Sequence, residues 1–148
     1  MIRKLVLILF VAFACSLWAA DSDTEKAAVI KVIEDAYLNG VNNIGDPEAM
    51  KKGFHEDFSL KGIRDGKLSE FHIAKWIKIV ATLKADGKYP PPPELKTRFE
   101  YPMIDITGNT AVVKINNFRG GKQIFTDYLL LLKFPDGWKI TDKIYFRH

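Results

Sequence analysis

Apolar and polar positions change period several times along this chain, and each change marks a new element. Ser22 with Glu25 has the form of a capping box, and Ile30, Ile33, Tyr37 and Val41 then recur at helical spacing. A first helix is predicted over 24–42. Gly45-Asp46-Pro47 breaks it, and Pro47 suits the first turn of a short second helix ending near Gly53. Phe58, Leu60 and Ile63 stand close to alternation and run into the turn pair Asp65-Gly66, so a hairpin should return through Lys67 to Phe71. From about Ser69 the helical period resumes. Ile73, Trp76, Ile77, Val80 and Leu83 share one face, and Lys75, Lys78 and Thr82 the other, until Asp86-Gly87 ends the pattern.

Pro90 to Pro93 cannot be helix interior and reads as a stiff spacer of polyproline II. Beyond it, Gly108-Asn109, Gly120-Gly121 and Asp136-Gly137 separate apolar runs of strand length, which predicts a four-stranded meander. The order implies an α+β fold, a strongly curved antiparallel sheet of about six strands packed on three helices. Leu129 to Leu132 is apolar at every position. Both faces of that strand should therefore be covered, one by helices and the other by a second subunit, giving a homodimer through the sheet.

Composition adds a compartment. Arg3 and Lys4 precede an apolar stretch from Leu5 to Ala14 that is too short to span a bilayer, and the small residues Ala19 and Ala20 follow. Residues 1–20 read as a signal peptide and residues 21–148 as one domain, exported to a periplasmic or extracellular space with no membrane anchor after cleavage. Cys15, the only cysteine, lies inside that segment, so the cleaved chain would hold no thiol, disulfide or thiolate metal ligand. Acylation of Cys15 is the minor alternative. Removing Arg3 and Lys4 from the 22 basic residues leaves an excess of two over the 18 acidic ones. The cations are scattered rather than gathered in a stripe, which speaks against nucleic acid as a partner.

Few residues offer chemistry. Tyr37 should face inward from the first helix, where its hydroxyl could meet a ligand oxygen or simply a core partner. His55 is a candidate proton shuttle, but with Glu56 and Asp57 it lacks the spacing of a metal site. Asp127, between Phe125 and Leu129, is a candidate base if buried; its bland reading is a carboxylate paired with Arg119 or Lys143. Trp76, Phe118 and Tyr128 could line a slot for a flat apolar ligand, whereas Trp138 should plug the end of the core. Of Asn116 and Asn117 one must face inward, and Asn116 joins the pocket candidates. Serine-nucleophile, phosphate-loop and dinucleotide motifs are missing, so no cofactor is expected.

Three segments together carry a family resemblance: Asn43-Ile44-Gly45-Asp46-Pro47, Phe54-His55-Glu56-Asp57-Phe58 and Phe134-Pro135-Asp136-Gly137-Trp138-Lys139-Ile140. In their order and spacing the chain resembles the nuclear transport factor 2-like superfamily, in its SnoaL-like and lumazine-binding branch. The resemblance implies a cone-shaped α+β barrel with an apolar pocket, a scaffold shared by isomerases, cyclases, dehydratases, ligand binders and silent assembly modules. Steroid-isomerase relatives carry a catalytic aspartate where this chain has Lys61 and Gly62. The resemblance therefore favours a binder of a small apolar or aromatic molecule, or a dimeric accessory module. The alternative is a cofactor-free enzyme using His55 or Asp127 as base with Tyr37 as hydrogen-bond donor.

Overall fold

The computed structural model describes residues 22–148; the segment read as a signal peptide, with Cys15, lies outside the described residues. Helix α1 spans residues 22–33 and passes directly into a π-helical stretch, Glu34–Asn43. The wider turn is visible where Ile44 N–H reaches back to Asn39 O at 2.8 Å. It turns Ala36, Tyr37, Gly40 and Val41 onto the buried face. Ser22 is already helical and the Glu25 carboxylate is held by Lys133 and Trp138, so the expected capping box gives way to a tertiary tie.

Asp46 caps α2 (Pro47–Gly53), its carboxylate accepting from Glu48 and Ala49 N–H. Strands β1 (Phe54–Arg64) and β2 (Lys67–His72) form the first hairpin. Helix α3 (Ile73–Ala85) begins only once β2 has finished pairing, His72 still standing opposite Ser59. Its buried stripe is shorter than the sequence suggests, since Leu83 is exposed. After the prolines, β3 (Thr97–Thr107), β4 (Thr110–Arg119), β5 (Lys122–Phe134) and β6 (Gly137–Arg147) make the meander.

The six strands form one curved, open sheet in the order β2-β1-β6-β5-β4-β3. It is mixed rather than purely antiparallel, because β6 lies parallel to β1. These two strands are linked through α3 and the meander, so no hairpin turn forces them to oppose. Every neighbouring pair except β1–β2 carries a register shift, and such bulges bend and twist the sheet around the helices. Within the concave side lie Val29, Ile33, Phe54, Phe58, Val113, Ile115, Leu129, Leu131 and Ile140. Two glycines allow the helices to seat: a Cβ on Gly53 would stand 2.4 Å from that of Ala36, and one on Gly45, at φ +66, would strike the Tyr89 ring.

Candidate functional site

Alternation along β5 and β6 decides what enters the cone. Asp127, Leu129 and Leu131 point in from β5, and Lys143 from β6 where that strand passes Leu129. Tyr37 meets them from the π-helical part of α1. Its hydroxyl donates to Asp127 Oδ2 at 2.8 Å, and Lys143 Nζ donates to that same hydroxyl. Lys143 also forms an ion pair with Asp127 Oδ1 at 2.8 Å, with Asp127 fully buried and Lys143 6% exposed. That approach lacks hydrogen-bond geometry, so Oδ1 is a buried acceptor without a hydrogen-bond donor among the described residues.

A buried charge pair is retained only where its surroundings compensate for lost water. Here aromatic faces supply part of that compensation. Lys143 Nζ lies 4.4 Å from the Tyr37 ring centroid, 5.7 Å from Tyr145 and 5.9 Å from both Trp76 and Phe125. Trp76 in turn stacks on Phe58 and meets Tyr37, Phe54 and Phe71 edgewise or at a tilt. Phe125 and Tyr145 pack in a T, centroids 5.6 Å apart, and Tyr145 remains 40% exposed at the rim. The site is thus a polar floor of Tyr37, Asp127 and Lys143 beneath rings that reach outward to solvent.

Burial is the main force on the titrations. It drives the Tyr37 hydroxyl well above its ordinary range, with the charge and hydrogen bond of Asp127 adding and Asn117 opposing. Lys143 is pushed down by burial against the opposing pull of Asp127. Tyr101, whose hydroxyl is buried with no hydrogen-bond partner among the described residues, is pushed up by burial and then by Glu34.

Of the residues singled out in the sequence, Tyr37, Trp76 and Asp127 are brought together. The rest go elsewhere. His55 stacks on Phe134 at 5.0 Å and faces Asp57 at 3.7 Å, in a shallow depression with Lys51, Asp136 and Lys139. As one of the two candidate bases it does not join Tyr37, because Phe54 occupies the inward position beside it. Asn116, Phe118 and Tyr128 stand on the convex face. Asn116 accepts from Gln123, Phe118 lies under Arg98 and Tyr128 under Lys114. Asn117 is the buried amide of its pair. Trp138 is buried and donates to Glu25 at the far end of the core, as a plug would. Lys61, where isomerase relatives were expected to differ, bonds Asp142 at 2.7 Å. Lys143, Phe125 and Tyr145 were not singled out as pocket residues; Phe125 follows the parity of Leu129 and Leu131, but the register shift of β6 between Ile140 and Asp142 puts Lys143 inward against the alternation of Trp138 and Ile140.

Among solved structures, the chain resembles a nuclear transport factor 2-like protein of unknown function from Silicibacter pomeroyi at 20% identity, covering 86% of this chain and 98% of that one with a TM-score of 0.68. A second such protein of unknown function, from Shewanella baltica, matches at 26% identity over 84% of this chain and 94% of its own, TM-score 0.66. A third, described as a putative dehydratase of that family from Streptomyces avermitilis, matches at 16% identity over 85% and 97%, TM-score 0.57. With its helices laid in the concavity of an open six-stranded sheet, the chain has the nuclear transport factor 2-like fold. A profile of the family described as "Putative lumazine-binding" matches residues 24–146, and the chain belongs to that family. No curated protein matches it.

Proposed function

We propose that this protein is an exported, non-catalytic binding domain whose cone takes one flat heteroaromatic molecule of the lumazine kind. The observation that carries this reading is the floor of the cone: a buried acceptor, Asp127 Oδ1, lacking a hydrogen-bond donor, beside the donor Lys143 Nζ and beneath aromatic rings. A pteridine-dione edge presents the complement, an N–H for Asp127 and a carbonyl for Lys143, on a ring that stacks. Pockets of this type bind through apolar walls and a few convergent polar groups. The family's description supports the same ligand class.

Export rests on Arg3, Lys4 and the apolar run behind them. Pairing with a second copy is favoured by the convex face, where Leu130, Leu132, Ile144 and Phe146 are exposed side by side on β5 and β6. The enzyme alternative loses its intended base in His55, and Asp127 is engaged with Lys143 and Tyr37. Calorimetric titration of residues 21–148 with lumazine tests the reading. Saturable one-to-one binding weakened about tenfold or more in Tyr145→Leu supports it, and no binding heat, or binding indifferent to that change, refutes it.

A further inference from the structure

The same floor holds a lysine in a setting that suits covalent chemistry. An ammonium in water is protonated and inert towards carbonyls, whereas a desolvated amine beside a proton acceptor and a proton donor is a nucleophile. Lys143 has all three conditions within contact distance. Its side chain is 6% exposed, and its Nζ sits 2.8 Å from the carboxylate of Asp127 and touches a tyrosine hydroxyl. Around it stand the rings of Trp76, Phe125 and Tyr145, 5.9, 5.9 and 5.7 Å from Nζ, and Tyr145 is 40% exposed at the rim. No other lysine has such surroundings among the described ion pairs, whose remaining cations are all more exposed.

We propose that Lys143 is a carbonyl-reactive amine that captures small aromatic aldehydes or ketones as a Schiff base, with Asp127 and Tyr37 moving the protons. The steps balance without a co-reactant. Asp127 takes one proton from the Lys143 ammonium, and the freed nitrogen pair attacks the carbonyl carbon. The resulting oxyanion takes a proton from Tyr37, giving a carbinolamine and a tyrosinate. The tyrosinate takes one of the two protons left on nitrogen, and Asp127 returns its own proton to the hydroxyl, which departs as water. Nitrogen and carbon then share a protonated imine conjugated with the ring, and Asp127 ends as a carboxylate beside that cation. Burial lowers the affinity of Lys143 for its proton, which assists the first step. The inference uses the pocket of the proposed ligand but not the identity of that ligand.

The test is reductive trapping. Residues 21–148 are incubated near neutral pH with benzaldehyde and cyanoborohydride, and benzylated lysines are quantified by peptide mapping in the folded protein and in urea. Lys143 is expected to label about tenfold faster than the surface lysines, because its desolvated amine beside Asp127 holds its proton less tightly than an exposed one. That preference should vanish in urea and shrink in Tyr37→Phe. Labelling of surface lysines with Lys143 silent, or no faster than they are, overturns the inference. If lumazine still binds in that case, the binding reading stands alone; if lumazine binds and protects Lys143 from benzylation, the two readings share one pocket.

Discussion

Taking Asp127 and Lys143 out of water is costly, and their proximity recovers that cost only while both remain. Asp127→Asn leaves a buried cation facing a neutral amide, and we expect a loss of about 3–5 kcal/mol in urea unfolding. The double change Asp127→Leu with Lys143→Met should cost less than that single one, since no unpaired charge is left. Additive losses would show that the pair is not coupled. Tyr101 supplies an opposite case: its hydroxyl is buried without a partner, so Tyr101→Phe should raise stability by about 1 kcal/mol, and a loss would reveal an unrecognised bond. Alkali should act through the tyrosines. Burial raises Tyr37, Tyr89 and Tyr101 in the folded state. Above an unfolded value near 10 the unfolded chain sheds these protons first, so stability should fall with pH by about 1.4 kcal/mol per unit for each such group. Lys143, lowered instead, contributes the opposite slope between its folded and unfolded values, where the unfolded chain holds the extra proton. Urea midpoints between pH 9 and 11 in wild type and Tyr101→Phe would separate them, and a smaller alkaline slope in the variant is expected.

At the scale of elements, turn chemistry was the most legible feature. Asp65-Gly66, Gly108-Asn109 and Gly120-Gly121 each form a turn between the strands they were read to separate, and the last turn falls on Pro135-Asp136 with Gly137 already opening β6. Pro47 opens α2 as expected. What the pattern could not reveal was the parallel seam between β1 and β6, since pairing between distant strands leaves no local periodicity. Strand parity is a different matter. Ala111, Val113 and Ile115 alternate inward, so Asn117 follows them in and Asn116 and Phe118 go out. Asp127 and Tyr128 are neighbours on one strand and cannot both line the cone. Choosing aromatic residues for their chemistry before fixing their parity misplaced Phe118 and Tyr128. The π-helical widening of α1 was equally silent in the sequence, though Tyr37 depends on it. Close approach predicts one element-level outcome: Gly53→Ala, driving a Cβ to 2.4 Å from Ala36, should destabilise by about 1–3 kcal/mol as α2 is forced off α1. An unchanged urea midpoint would mean that the two helices are free to separate.

Taken whole, the molecule presents two apolar surfaces with different destinies, one concave and ringed by aromatic side chains around a charged floor, the other convex and open. The convex one predicts self-association. Wild-type protein should run as a dimer by light scattering, and Leu130→Lys with Ile144→Lys should yield a folded monomer. A wild-type monomer at high concentration would remove pairing from the account. The concave surface carries the central claim, and calorimetry with lumazine tests it most directly, comparing wild type with Tyr145→Leu at the rim and with Trp76→Leu beneath it. The account predicts saturable binding at one molecule per chain, weakened about tenfold or more by each variant as an aromatic wall is lost. Binding that ignores both substitutions, or none at all by a protein shown to be folded, would contradict it.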